Sequence, residues 1–328
     1  MMGLLWHLSR RALVAVVAVY LVVSLAFLFV ALTPDPNEGA IAYDVVRSGG
    51  DQEDARRAIN AYREARNLND PVHERYARWL IDISTLDWGM SFSHGRTVTS
   101  LVADRTPYTA LYVVPALVVS LLGGVSVGLY TAFNRRGLVD RAASVLTYSG
   151  FGVPNFWLAE IALLLVVGEL GVLSRVSQPP PAELWSLAHL EQYVLPSLVL
   201  ASGLFAGQLR YARAETLEYV NDEFVAALRA KGVGRLAIAR HVLRNAAVPI
   251  LSVFFTDMVA VLVVNIYVIE EVFGIEGLSA LSLAAVHQRD MPLVLGTTMV
   301  IAFVGIAANF LQDVTYAVLD PRIEAGER

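Results

Sequence analysis

Cysteine is absent from all 328 residues, which excludes disulfides, thiolate metal sites and a cysteine nucleophile. Lysine is almost absent: Lys231 stands alone, and every other basic side chain apart from histidine is arginine. The six histidines are scattered, with no HExxH or other metal-ligand spacing, and no GxxxxGK(S/T) phosphate loop occurs. If ATP drives this protein, another subunit has to hydrolyse it. Charge of either sign is scarce, at 17%, against 56% hydrophobic residues and a mean hydropathy of +0.54. That balance is the composition of an integral membrane protein. The net charge of −5 decides little, because in a membrane protein the side on which each charge lies is what matters.

Uncharged runs set the organisation. Ala12 to Leu32 holds 21 uncharged residues behind Arg10 and Arg11, enough to span a hydrocarbon core of roughly 30 Å at about 1.5 Å per residue. A cleaved signal peptide competes for this stretch, with Ser9-Arg10-Arg11 as a faint twin-arginine signal. The run is too long for an ordinary h-region, and Phe29-Val30-Ala31 lacks the small residue three before a cleavage point. We expect a retained helix, so that 1–32 is a cytoplasmic N-terminus plus first span. Residues 33–106 are polar and carry two amphipathic patterns, one from about Asp51 to Arg66 and one capped by Asp70 with Pro71 at the first helical position. The second pattern places Val72, Tyr76, Leu80 and Ile83 on one face. The expectation is a helical extracytoplasmic subdomain rather than a bare linker.

Further spans are expected at Pro107–Phe133, about Ala142–Leu173, about Gln192–Tyr211, Ala246–Ile269 and Met291–Val318, making 107–328 the core. The short inner segments carry Arg10, Arg11, Arg135, Arg136, Arg141 and a cluster from Arg210 to Arg244, whereas the short outer loops carry only Arg175 and Arg289. The outer loop 174–191 includes Pro179, Pro180 and Pro181. This asymmetry predicts six transmembrane helices with both termini cytoplasmic, in an all-α membrane fold.

The hydrophilic stretch 215–249 reads as two short helices meeting at a glycine. Asn221 is expected to cap the first, with Asp222 and Glu223 at the positive end of its dipole. Ala226, Ala227, Leu228 and Ala230 are good helix formers, and Lys231-Gly232 reads as a stop with Gly232 left-handed. The second is expected from about Arg235 to Arg244, with Pro249 marking entry to the next apolar run. By charge alone this is an ordinary basic inner loop. The order and spacing of Arg229, Lys231, Gly232, His241, Arg244, Asn245 and Pro249 are more specific. They resemble the cytoplasmic loop of ABC-transporter permeases of the dipeptide, oligopeptide and nickel type. Asp87-Trp88-Gly89-Met90-Ser91 followed by Val98 to Pro107 is similar to the stretch before that family's second membrane helix. Glu271-Val272-Phe273 with Gly277-Leu278, then Gln288-Arg289-Asp290 and Pro292, resembles its outer re-entrant loop. Asn309, Asp313, Tyr316 and Asp320-Pro321-Arg322 are similar to its C-terminal signature. Two departures stand out: Glu276-Gly277 where the family has Pro-Gly, and Ala226-Ala227-Leu228 where the general permease motif leads with Glu-Ala-Ala.

The resemblance implies a type I importer permease, the first of two paralogous subunits, with no cofactor of its own and no enzymatic activity. ATP and magnesium would belong to two ATP-binding subunits seated on loop 215–249, with Ala226, Ala227, Arg229, Lys231, Gly232, His241, Arg244, Asn245 and Pro249 as the coupling residues. It also implies a homologous second permease, an extracytoplasmic solute-binding protein and a place in the plasma membrane, with no nucleic acid partner. The cargo implied is a di- or oligopeptide, or in other branches an oligosaccharide or nickel chelate. The alternative is an autonomous channel or secondary carrier, but clear inverted repeats and clustered intramembrane catalytic groups are missing. Charges inside apolar spans are costly, about 2.5–3.5 kcal/mol each on insertion scales. Glu160, Asp257 and nearby Asn265 are thus expected to face a translocation path, or in the case of Asp257 equally to pair with another helix. Glu169 reads as interfacial.

Overall fold

A computed structural model describes residues 2–177 and 183–319. Among them every regular element is helical, and the sole β-type pairing is an isolated bridge between Met90 and Thr97. Long apolar segments adopt helices because a chain in hydrocarbon has to satisfy its own backbone N–H and C=O groups. Four stretches are long and apolar enough to cross a membrane: Leu8–Arg47, Val98–Phe133, Arg235–Phe273 and Met291–Leu319. The two other expected spans do not form comparable single apolar helices. The third is divided into α6 (Leu138–Gly152) and α7 (Asn155–Ala162), with Pro154 at the N-cap of α7. α7 continues into a wide i→i+5 turn, Leu163–Glu169. The fourth lies in α9 (Val194–Val220), whose second half carries Gln208, Arg210, Arg213, Glu215 and Glu218. Pro179, Pro180 and Pro181 of the expected outer loop, and the C-terminal Asp320-Pro321-Arg322, lie outside the described residues.

The chain forms two compact units. The first comprises Met1–Ala15, Arg105–Ala280 and Val304–Arg328. Its helices α5 (Val98–Phe133) and α9 approach closely because α5 presents glycines. A Cβ on Gly124 would lie 2.7 Å from the Cβ of Gln208, and one on Gly128 would lie 2.8 Å from both the Ala212 Cβ and the Leu209 carbonyl oxygen. This is the small-residue contact expected between membrane helices. Tyr112, Tyr193, Leu200, Ile266 and Ile269 form the buried centre of this unit. α11 (Arg235–Ala260) packs along α9 and runs without a break through a second i→i+5 turn, Val261–Asn265, into α12 (Ile266–Phe273). Gly274, left-handed at φ 66°, ends it.

Continuity of α11 corrects the expected second loop helix and fifth span. They are one helix, and Pro249 lies inside it rather than before it. Proline is tolerated in membrane helices where neighbouring helices and local adjustment compensate for the missing N–H.

The second unit comprises Val16–Asp104 and Leu281–Phe303. In it α2 (Pro36–Arg47) begins at Asp35, whose side chain accepts from the Asn37 N–H. α3 (Gln52–Ala65) begins with a reciprocal capping box between Asp51 and Asp54, so the first amphipathic pattern falls where its signals place it. The expected cap on α4 (Val72–Ser84) is corrected: Pro71 occupies the N-cap with no side-chain bond. Asp70 instead forms a 2.8 Å ion pair with Arg78. On α4, Ile83 packs in a cluster with Val23 of α1 (Met2–Leu32) and Met299 of α14 (Met291–Leu319). The Trp79 indole donates to the Val23 carbonyl at 3.1 Å.

Asp290 closes this unit between α13 (Leu278–His287) and α14. Its carboxylate accepts from Ser91 Oγ at 2.6 Å, Ser93 Oγ at 2.6 Å and the Ser93 N–H at 2.9 Å. Burial works to raise its pKa, but these hydrogen bonds outweigh it and hold the carboxyl below the usual aspartate range.

Candidate functional site in loop 215–249 and the helix bundle

The loop is built on a buried apolar hinge. Val220, Val225, Ile238 and Val242 form a buried cluster, flanked by Leu129, Phe133, Phe224, Leu228 and Val233. They hold α10 (Glu223–Ala230) against the start of α11. α10 begins at Asp222, whose backbone is extended but whose side chain makes no capping bond. Asn221, expected in that role, is the C-cap of α9 and donates to the Leu217 carbonyl at 3.2 Å. Its side chain is thus spent on the preceding helix.

The end of α10 is a Schellman motif. Gly232 is left-handed at φ 73°. Its N–H donates to the Arg229 carbonyl at 3.0 Å, and the Val233 N–H donates to the Leu228 carbonyl at 3.1 Å. Val233 and Leu228 also share the apolar cluster, the contact that usually accompanies this cap. Backbone and packing together fix the angle between α10 and α11.

Ala226, Ala227, Arg229, Lys231 and Gly232 lie exposed on or just after α10, and His241, Arg244 and Asn245 are exposed on α11. Pro249 is half-buried in the middle of α11. The sequence reading overlooked Leu236, which is 86% exposed beside Arg235. Nearby, Asp140 accepts from Arg213 Nε at 2.9 Å and from the Arg136 N–H at 2.9 Å, binding α9 to the turn before α6. The backbone bond from Arg136, with help from the Arg213 guanidinium, lowers the Asp140 pKa against a smaller effect of burial.

Within the bundle, the three residues expected along a path are not joined to one another by any hydrogen bond among the described residues. Asp257 on α11 accepts from Gln208 Nε2 of α9 at 3.3 Å. Gln208 is fully buried and its Oε1 has no partner among the described residues. Asn265 accepts from Asn155 Nδ2 of α7 at 3.0 Å. Glu160 is exposed on α7. The wide turn Val261–Asn265 interrupts the 3.6-residue register on which a shared face for Asp257 and Asn265 depended.

A larger polar cluster escaped the sequence reading. Glu270 on α12 is 1% exposed. It accepts from Thr109 Oγ1 at 2.6 Å, Tyr112 Oη at 3.1 Å, Ser279 Oγ at 2.5 Å and the Ala280 N–H at 2.8 Å. Gly277 fits against it so tightly that a Cβ there would lie 2.2 Å from Glu270 Oε1. Arg105 binds the adjacent Glu276 at 2.5 Å. The 274–277 turn, where Glu276 replaces the resembled family's proline, is therefore pinned by an ion pair and a buried carboxylate. Glu270 as a charge within an apolar run was the available signal.

Residues 124–325, more than half of the chain, match the family model described as "Binding-protein-dependent transport system inner membrane component". The chain belongs to that family. It is 27% identical over 322 residues to the oligopeptide transport system permease protein AppB of Bacillus subtilis, covering 97% of this chain and 99% of that one. A putative peptide permease protein of Brucella suis is 31% identical over 325 residues, with 98% and 99% covered. The dipeptide transport system permease protein DppB of Bacillus subtilis is 31% identical over 278 residues, with 84% and 86% covered. The resemblance read from the central loop is thereby borne out. The chain is a multi-pass inner-membrane transport subunit, and the family it joins works with a binding protein.

Proposed function

We propose that this chain is the translocation subunit of an ATP-driven importer of short peptides. Six spans would leave both termini cytoplasmic, with 33–106 forming an extracytoplasmic subdomain. A second homologous permease would complete the pathway, and two ATP-binding subunits would dock on loop 215–249. The observation that carries this reading is α10. It is a short helix locked by Gly232 and an apolar hinge, presenting small and basic side chains outward. A chain without a phosphate loop can couple to ATP only mechanically, and a rigid projecting helix is the part suited to that work. Ala226 and Ala227 permit close approach, Leu236 offers an apolar anchor, and Arg229 and Lys231 supply charge at the rim. The peptide cargo follows from the relatives named as oligopeptide and dipeptide permeases.

Gly232→Val tests the coupling. Nothing lies within 4 Å of a Cβ at Gly232, so the penalty is conformational, about 1–2 kcal/mol for a left-handed backbone, and more for a β-branched side chain. In the reconstituted complex, peptide binding by the binding protein is expected to be unchanged. Peptide-stimulated ATP hydrolysis and uptake are expected to be lost. Parental transport with the ATPase retained would reduce 222–244 to an ordinary inner loop.

A further inference from the structure

The second unit encloses a cavity of about 620 Å³, within the size range of small-molecule sites. Its walls come from the end of α1, the α3–α4 region and the start of α14. Trp79, Trp88, Leu295 and Met299 give it an apolar interior. The charged groups around them differ in how well they are satisfied. Arg63 is neutralised by Glu38 through two bonds of 2.7 and 2.8 Å. Arg66 lies over the rings of Tyr62 and Phe92, at 5.2 and 5.1 Å, and forms no ion pair among the described residues. Arg75 and Asp82 also line the cavity with no ion pair among the described residues, and the Asp87 carboxylate receives only the Gly89 N–H, at 3.3 Å.

We propose that this cavity binds a short unblocked peptide, its terminal carboxylate held by Arg66 and Arg75 and its terminal ammonium by Asp82 and Asp87. A neutral apolar molecule would pair with none of the four charges, covering exposed Arg66, Asp82 and Asp87 and half-buried Arg75 without a counter-charge. An anionic lipid would satisfy the arginines but place its own charge near the two aspartates. A dipolar ligand with apolar side chains satisfies both signs while covering the tryptophans and methionine. Stacking of Arg66 on two aromatic rings keeps the guanidinium oriented without consuming its hydrogen-bond donors. The site would be an extra peptide station within the second unit. Its place on an import route rests on the proposed peptide cargo.

The test uses the full-length chain in nanodiscs of phosphatidylcholine and radiolabelled trileucine in equilibrium dialysis. Saturable binding is expected, weakened at least about tenfold by blocking both peptide ends and by the double substitution Arg66→Gln with Arg75→Gln. Arg75→Gln alone, at a half-buried side chain without an ion pair among the described residues, is expected to weaken binding without altering the melting temperature. Phosphatidylglycerol in the nanodisc is expected not to compete. Binding indifferent to blocked ends or to both arginines, or displaced by phosphatidylglycerol, overturns the proposal. An assembled importer that moves trileucine while this cavity fails to bind it refutes the site and leaves the peptide-import reading intact. Binding here by a chain that recruits no ATPase does the reverse.

Discussion

At the scale of single residues, Asp290 and Glu270 share one device: a carboxylate that gathers hydroxyls from distant parts of the sequence. Asp290 makes a pH prediction outside the spans. Its folded pKa is lowered from the ordinary 3.8, so its contribution is fully present above that value and is lost as pH falls through the lower folded pKa. Protease sensitivity of the Ser91–Ser93 segment is expected to stay constant from pH 7 to about pH 5 and to rise below pH 3.8. Asp290→Asn is expected to flatten that acid-dependent rise and to be more sensitive at neutral pH. A loss of the order of 1.5–3 kcal/mol is expected for a hydrogen bond to a charged group. Unchanged acid sensitivity in Asp290→Asn would assign the response elsewhere. Neither carboxylate's partners were legible in the sequence. Ser91 and Asp290 are 199 residues apart, and Thr109 and Glu270 161, so only the fold brings them together. Gly232 was legible because its requirement is local: a helix stop after good helix formers.

At the scale of elements, apolar runs and the glycine stop after α10 could be read in advance, while the N-caps of α4 and α10 and the interruptions could not. Glycines such as Gly124 and Gly128 within an apolar run are readable as points of close helix contact, but their partners on α9 required the fold. Gly128→Leu is expected to separate α5 from α9. The Ala212 Cβ, the Leu209 carbonyl and the Arg213 N–H all lie within 2.9 Å of the new Cβ position, and two of these are backbone atoms that cannot rotate away. Overpacking of this kind costs typically about 1–3 kcal/mol. A melting temperature in detergent lower by several degrees is the expected readout, and an unchanged melt would mean that the helices slide to accommodate the side chain. The wide turns 163–169 and 261–265 are composed mainly of ordinary apolar residues, with Gly168 and Glu169 at the end of the first and Asn265 at the end of the second. Nothing in their side chains distinguishes an i→i+5 bond from an i→i+4 bond, which is why Asp257 and Asn265 were expected on related faces.

At the scale of the molecule, class and family were readable from composition and motif spacing, because apolar length and a basic loop are one-dimensional properties. The division into units was not. The second unit takes Leu281–Phe303 from near the far end of the chain, a pairing that periodicity cannot reveal. Sidedness is open to direct measurement because the chain has no cysteine of its own. A thiol at exposed Ser48 is expected to react with an impermeant maleimide in intact cells, and one at exposed Ala237 only after the membrane is opened. Labelling of Ala237 from outside would overturn the six-span arrangement.

The unbroken helix from Arg235 to Phe273 has a consequence in plain length. Its 39 residues rise about 58 Å at 1.5 Å each, whereas the hydrocarbon core is about 30 Å thick and the whole bilayer with headgroups about 40–45 Å. With Phe273 near one face, the Arg235 end clears the opposite headgroups by on the order of 10–20 Å even with ordinary tilt. In the proposed arrangement α10 would thus be carried on a stalk, with its basic side chains beyond the lipid phosphates. A soluble partner of the kind proposed would then meet α10 across open water and need not press against the bilayer to reach it.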